Sequence, residues 1–334
     1  MRIARMEFPT PDGPEARIVV AARHEPGRWV DVRAALRLAL ERRGATPAAA
    51  RRLAQTIVPG SLSAALENGE AFMEALAQAA EDTQEEALAP EGGRLVAPID
   101  PSLYRDFLSF EVHFTNAARL HHHGVAPVLY EMPVGYMGHH LAFIGPEETV
   151  PWPFYAKERM DFELELGIVV GRGGRDLHPE QATGHILGLT ILNDFSARDI
   201  QLREMQGRLG PAKGKHFCNA VGPVIVTLDE LPSRDLRMTA RVNGEVWSSG
   251  QSGTMLWSLE ELLAWASAGE PLPAGALLGS GTVGFGCGME LQRYLNPGDL
   301  VELEVEGIGV LRNRLGQPPA EGWWPSPRTP SIQV

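Results

Sequence analysis

Apolar positions follow two different rhythms along this chain. In the first hundred residues they recur at helical spacing: "VDVRAALRLALERRG" predicts an amphipathic helix stopped by Gly44, and "SLSAALENGEAFMEALAQAAED" predicts a second helix. A short hairpin, "ARIVVAARHEPGRWVDV", precedes them. Beyond about residue 100 the apolar residues alternate or run together in short blocks, the signature of strands. "FELELGIVV" alternates and then turns wholly apolar, while "HILGLTIL" and "VGPVIVTL" are short apolar runs. "ARVNGEVWSS" carries an Asn-Gly pair between strands, a strong hairpin signal. "NPGDLVELEVEGIGVLRNRL" reads as turn, strand, turn, strand. "SLEELLAWASAG" and the stretch after "NDFSARD" interrupt this pattern as helices.

The fold class expected is therefore mostly β with inserted helices (α+β). Residues 1–95 form a small N-terminal α/β domain and residues 96–334 the main domain. The Pro- and Gly-rich segment at about 88–101 reads as the linker. The Pro-rich tail "GQPPAEGWWPSPRTPSIQV" has no periodicity of its own. A length of 334 residues suits two domains. No apolar run reaches the length of a membrane span, and no signal-peptide stretch follows the N-terminal arginines, so no membrane partner is expected. Two cysteines, Cys218 and Cys287, suit a reducing cytoplasm rather than a disulfide framework. A net charge of -12 disfavours nucleic acid as a partner.

Acidic residues in three segments change the picture. Glu163 and Glu165 sit at i and i+2 on a strand and share one face, about 7 Å apart along it. Such a pair repels unless a cation lies between, and the apolar continuation "GIVVG" argues against a solvated edge. In "TILNDFSARDIQ" an apolar strand ends at Asn193-Asp194. A helix is expected from Ser196, with Asp199 as capping-box partner and Arg198 and Gln201 on one face. Plain capping explains Asp194 about as well as a ligand site does. In "DFLSFEVHFTNAA" a helix would align Asp106, Ser109, His113 and Asn116 as a polar stripe. A capping Asp106 with a structural histidine is the simpler account of that segment.

Other motifs carry less. "RLGPAKGKHF" fails as a phosphate loop, because the Gly210–Gly214 spacing is one short and His216 stands where Ser or Thr is needed. Lys215 could still present a cation to an anionic substrate. "GSGTVGFG" contains a formal G-x-G-x-x-G without a following helix, so its glycines are expected to let backbone approach a ligand near Thr282 and Glu290. His121, His122 and His123 cannot all face one ion and read as a surface feature or helix C-terminal charge.

From "DFLSFEVHFTNA", "PVGYMG", "MDFELELGIVVG", "NDFSARDIQ", "LGPAKGKHF", "GSGTVG" and "CGMEL" in this order, the chain resembles the fumarylacetoacetate hydrolase family over residues 100 to 315. The resemblance implies a β-roll, pseudo-barrel catalytic domain, usually dimeric, so a homodimer is expected. It implies that Asp106, Glu163, Glu165 and Asp194 bind Mg2+ or Ca2+, with Mn2+ as a further option. It makes His113 the base, held by Glu290, and turns Arg198, Gln201, Lys215, Tyr136 and Thr282 toward a small anionic substrate. Leu108 and Met137 depart from the fumarylacetoacetase pattern, where a tyrosine and a histidine stand. The activity expected is metal-dependent hydrolysis of a carbon–carbon bond in a fumarylacetoacetate-like or acylpyruvate-like diketo acid. The alternatives are a 2-oxo acid isomerase or decarboxylase of the same family and a non-catalytic metal-stabilised binding protein.

Overall fold

The computed structural model describes residues 1–329 apart from Pro26 and Thr83. The last residues of the Pro-rich tail therefore lie outside the described residues. An 11-stranded sheet forms the backbone of the molecule. Strand Leu164–Val170 lies near its middle, buried at every position, between Ile186–Asn193 and Leu277–Gly279. The continuous apolar run "GIVV" follows from that placement, because both faces of the strand are covered.

Each face has its own partner. Leu164, Leu166 and Ile168 join a core with Met238, Ala240, Val301 and Leu303 of a five-stranded sheet. Val169, Leu192, Val221 and Leu277 pack instead with Phe72, Leu76 and Val20 from the N-terminal segment. Among the described residues the N-terminal segment has no sheet of its own: strand Arg2–Phe8 pairs antiparallel with Asn219–Val226. The sheet thus runs across the expected boundary near residue 95, and strand Arg94–Val96 pairs with Arg2–Phe8.

Mostly β architecture with inserted helices is what the structure shows, and the local signals explain much of it. Asn243 and Gly244 both take positive φ, 51° and 83°, and close the hairpin between Arg237–Val242 and Glu245–Gln251. Helix Leu259–Ser267 opens on a Ser258–Glu261 capping box. The expected single helix after Ser61 is two, Leu62–Leu66 and Glu70–Ala80, because Gly69 turns to φ 56° between them. No helix among the described residues is long and apolar enough to cross a membrane.

Candidate active site

Three strands of the large sheet, with their ends, deliver the acidic residues to one place. Asp106 does not lie on a helix, as its spacing to His113 suggests, but on strand Tyr104–Phe107; the helix begins only at Glu111 and runs to Leu120. Parallel pairing with Leu277–Gly279 holds Asp106 in a strand, so the polar stripe starts at His113. Asp106 faces Gly279 on one side and Tyr136 on the other. Glu165 opposes Leu192 in the ladder, Glu163 precedes that strand, and Asp194 follows Ile186–Asn193. The next helix is Arg198–Met205, not one from Ser196. Asp199 caps no helix of its own; it accepts the backbone N–H groups of Lys157, Glu158 and Arg159.

Oxygen atoms of Asp106, Glu163, Glu165 and Asp194 lie within 4.8 Å of one another, and all four residues are buried. Two cations sit among them. Lys215 Nζ donates to Glu163 and, at 2.6 Å, to Asp194 Oδ2. Arg198 donates to Glu163 Oε1 (2.7 Å), to Asp161 Oδ2 (2.8 Å) and to Gln201 Oε1 (2.9 Å). Burial alone would raise Glu163, but Lys215 and Arg198 overrule it and hold the carboxyl well below its usual range. Burial raises Asp106 and Glu165 well above theirs, and the neighbouring carboxylates push in the same direction.

The donor set fits a hard divalent cation. Asp106 Oδ1 and Glu165 Oε1 are buried oxygens without a hydrogen-bond partner. Leaving such atoms unpaired is costly, and oxygen-only coordination by carboxylates is what Mg2+, Ca2+ or Mn2+ takes. Oxygens of Asp194 and Glu165 are oriented by the protein. Tyr136 donates to Asp194 Oδ2 (2.8 Å) and Gly281 N–H to Glu165 Oε2 (3.1 Å), and Asn219, with its amide turned to match its neighbours, donates to Asp194 Oδ1 (2.6 Å).

His113 stands beside this cluster in the same cavity, which measures ≈ 380 Å³. Its Nδ1 meets Glu290 Oε2 at 2.7 Å, and Glu290 is fixed in turn by Asn116 Nδ2 (2.9 Å) and Phe285 N–H (3.0 Å). With Nδ1–H donated to Glu290, Nε2 keeps its lone pair for a proton. Tyr136, Gln201, Thr282, Arg198 and Lys215 line the cavity too. Thr282 Oγ1 accepts from Leu164 N–H at 3.2 Å.

The structure thus brings together the residues that the resemblance implied for metal, base and substrate, with one difference in what two of them touch. Arg198 and Lys215, expected to meet an anionic substrate, are engaged by carboxylates. One contributor went unremarked. Asp161, fully buried, accepts from Phe162, Gly288 and Met289 N–H as well as Arg198. It stands two residues before Glu163, so the i, i+2, i+4 spacing of Asp161, Glu163 and Glu165 was the available signal.

A family model for the fumarylacetoacetate (FAA) hydrolase C-terminal domain matches residues 102–316, well over half of the chain. The chain belongs to this family. Among curated relatives, the oxaloacetate tautomerase YisK of Bacillus subtilis is 34% identical over 192 residues, covering 57% of this chain and 60% of that protein. The human mitochondrial oxaloacetate tautomerase FAHD2A is 35% identical over 178 residues, covering 52% and 56%. In both alignments the matched stretch is less than two thirds of the relative's length. Among solved structures, fumarylacetoacetate hydrolase from Exiguobacterium antarcticum superposes with a TM-score of 0.68 at 26% identity, covering 94% of this chain and 99% of that one. The 5-carboxymethyl-2-hydroxymuconate delta-isomerase of Mycobacterium smegmatis gives 0.64 at 27%, covering 95% and 99%.

Proposed function

We propose that this FAA hydrolase family member is a metal-dependent enzyme that moves a proton on an enolisable 2-oxo acid, as a tautomerase or isomerase. The observation that carries this reading is the His113–Glu290 pair opening onto the same cavity as the four carboxylates. The hydrolase expected first from the sequence gives way because the relatives named above include two oxaloacetate tautomerases and an isomerase.

When bound, a divalent cation held by Asp106, Glu163, Glu165 and Asp194 would supply Lewis-acid polarisation of the substrate's carbonyl group. The protein's part is proton handling. His113 Nε2 accepts a proton from the carbon beside the ketone, and Glu290 stabilises the imidazolium that results. The same nitrogen returns the proton to oxygen for the enol, or to a further carbon for an isomer. A positioned base of this kind contributes roughly a hundred- to ten-thousandfold. Lys215 holds Glu163 and Asp194 together rather than meeting substrate directly.

Carbon–carbon hydrolysis is the second reading, favoured by the same base: His113 could take its proton from water, and the fold neighbour from Exiguobacterium antarcticum is a fumarylacetoacetate hydrolase. Proton NMR in deuterated water with Mg2+ separates the two. Deuterium entering beside the ketone of oxaloacetate or an acylpyruvate, without cleavage, supports the tautomerase reading. Appearance of two shorter acids establishes hydrolysis, and neither change sinks both.

A further inference from the structure

The far end of the cavity is built from residues that the proton chemistry does not use. The helix Glu111–Leu120 borders the cavity along its length, with His113, Phe114, Ala117, Ala118 and, at its C-terminal cap, His121. His113, Ala117 and His121 are four apart and so share one face. Eight residues of helix put His121 about 12 Å along the axis from His113. Between them the wall is apolar, with Ala117, Leu129, Leu202 and Met205. His123 joins His121 at this end, the two rings nearly parallel at 20° with centroids 6.2 Å apart.

Charge explains why this end matters. Five buried carboxylates, Asp106, Asp161, Glu163, Glu165 and Asp194, face two buried cations, Arg198 and Lys215. Three negative charges remain, and a dication would remove two of them. The inner site therefore has no surplus positive charge for a second carboxylate of the substrate. Apart from His113, His121 and His123 are, among the described residues, the remaining side chains lining the cavity that can become cationic.

We infer that His121 and His123 form a distal-carboxylate subsite, selecting a 2-oxo diacid whose second carboxylate is carried on an apolar spacer. This rests on the proposed reading in which the carboxylate end holds the 2-oxo acid head. A four-carbon oxo diacid is too short to reach both ends. Ala117 contributes by being small, leaving the spacer its path between the two histidines. His123 Nδ1 is engaged with the Gly124 carbonyl at 2.9 Å, so its Nε2 donates a hydrogen bond only when the ring is protonated. Burial, His123, Arg198, Arg159 and His122 hold His121 below its usual value. A bound carboxylate opposes those effects, so binding and proton uptake are coupled.

The test is calorimetric binding of 2-oxooctanedioate and 2-oxooctanoate to the full chain with Mg2+, for the wild type and the His121→Gln/His123→Gln double variant. The wild type is expected to prefer the diacid by about tenfold near pH 6, with the preference shrinking near pH 8. The double variant is expected to lose the preference while binding the monoacid as before, which also reports that it is folded. Equal binding of the two acids by the wild type near pH 6, or a preference that survives the double substitution, overturns the subsite and leaves the proton-transfer reading standing. Failure of both acids to bind the wild type removes the head-group reading and the subsite with it.

Discussion

Gly279 lies so close to Asp106 that a Cβ built on it would stand 2.1 Å from Asp106 Oδ1. That oxygen is one of the two unpartnered atoms of the carboxylate cluster. The glycine in "GSGTVG" is thus required by a protein side chain, whereas the sequence suggested room for a ligand. Parallel pairing of Leu277–Gly279 with Tyr104–Phe107 makes the approach unavoidable. Gly279→Ala is expected to displace the Asp106 carboxylate and weaken Mg2+ binding by tenfold or more, about 1.4 kcal/mol. Titration calorimetry with Mg2+ reads this directly, and wild-type affinity in the variant would show that Asp106 Oδ1 is not a ligand.

The His113–Glu290 pair makes a second, separable prediction. His113→Asn removes the proton acceptor and is expected to lower kcat by roughly a hundredfold or more. Glu290→Gln keeps the shape but no longer stabilises the imidazolium, so kcat is expected to fall while substrate KM stays near wild type. A loss confined to KM would move both residues from proton transfer to binding.

Stability should depend on pH in a direction set by the carboxylates. Asp106 and Glu165 are raised by burial and by their acidic neighbours. In the metal-free protein they keep protons that the unfolded chain has already released. Stability therefore falls as pH climbs from the ordinary carboxyl range through their raised values. Glu163 is lowered and acts oppositely: its ion pairs are intact above the ordinary range and are lost as acid brings the pH down through its folded value. Mg2+ displaces the protons on Asp106 and Glu165, so its stabilising effect should grow with pH over the first window. Melting curves with and without Mg2+ across pH check this; a gain that shrinks toward neutral pH would contradict the assignment of these two residues.

Legibility in the sequence followed the range of the forces involved. The Asn243-Gly244 hairpin and the Ser258–Glu261 cap rest on neighbours in sequence, and both were readable. Glu163 and Glu165 were readable because strand periodicity alone puts them on one face. Asp106 was assigned to the wrong element because "YRDF" is short, and its strand forms only against Leu277–Gly279, far along the chain. His121 and His123 read as a surface feature and the structure leaves both exposed; that they also border the cavity was not legible, because its opposite wall, from Leu202 to Pro211, comes from another part of the chain. The Arg2–Phe8 pairing with Asn219–Val226 is equally long-range, which is why the N-terminal segment reads as separate.

Asp161 supplies the last prediction. Its Oδ1 accepts Phe162 and Gly288 N–H at 2.8 and 2.6 Å, and its Oδ2 accepts Met289 N–H and Arg198 Nε at 3.0 and 2.8 Å. Those contacts tie the segment carrying Glu163 to the short helix Gly288–Leu291 that carries Glu290, so one carboxylate connects the acidic cluster to the base. Asp161→Asn places an amide N–H against a backbone N–H or the guanidinium and removes the charge that balances Arg198. Breaking such a buried pair costs about 3–5 kcal/mol. Chemical denaturation should show that loss, and Mg2+ affinity should fall with it, because Arg198 then pulls on Glu163 alone. A variant that unfolds at the wild-type denaturant concentration would mean that Asp161 is replaceable and that Glu163 and Gln201 alone hold Arg198's end of the site.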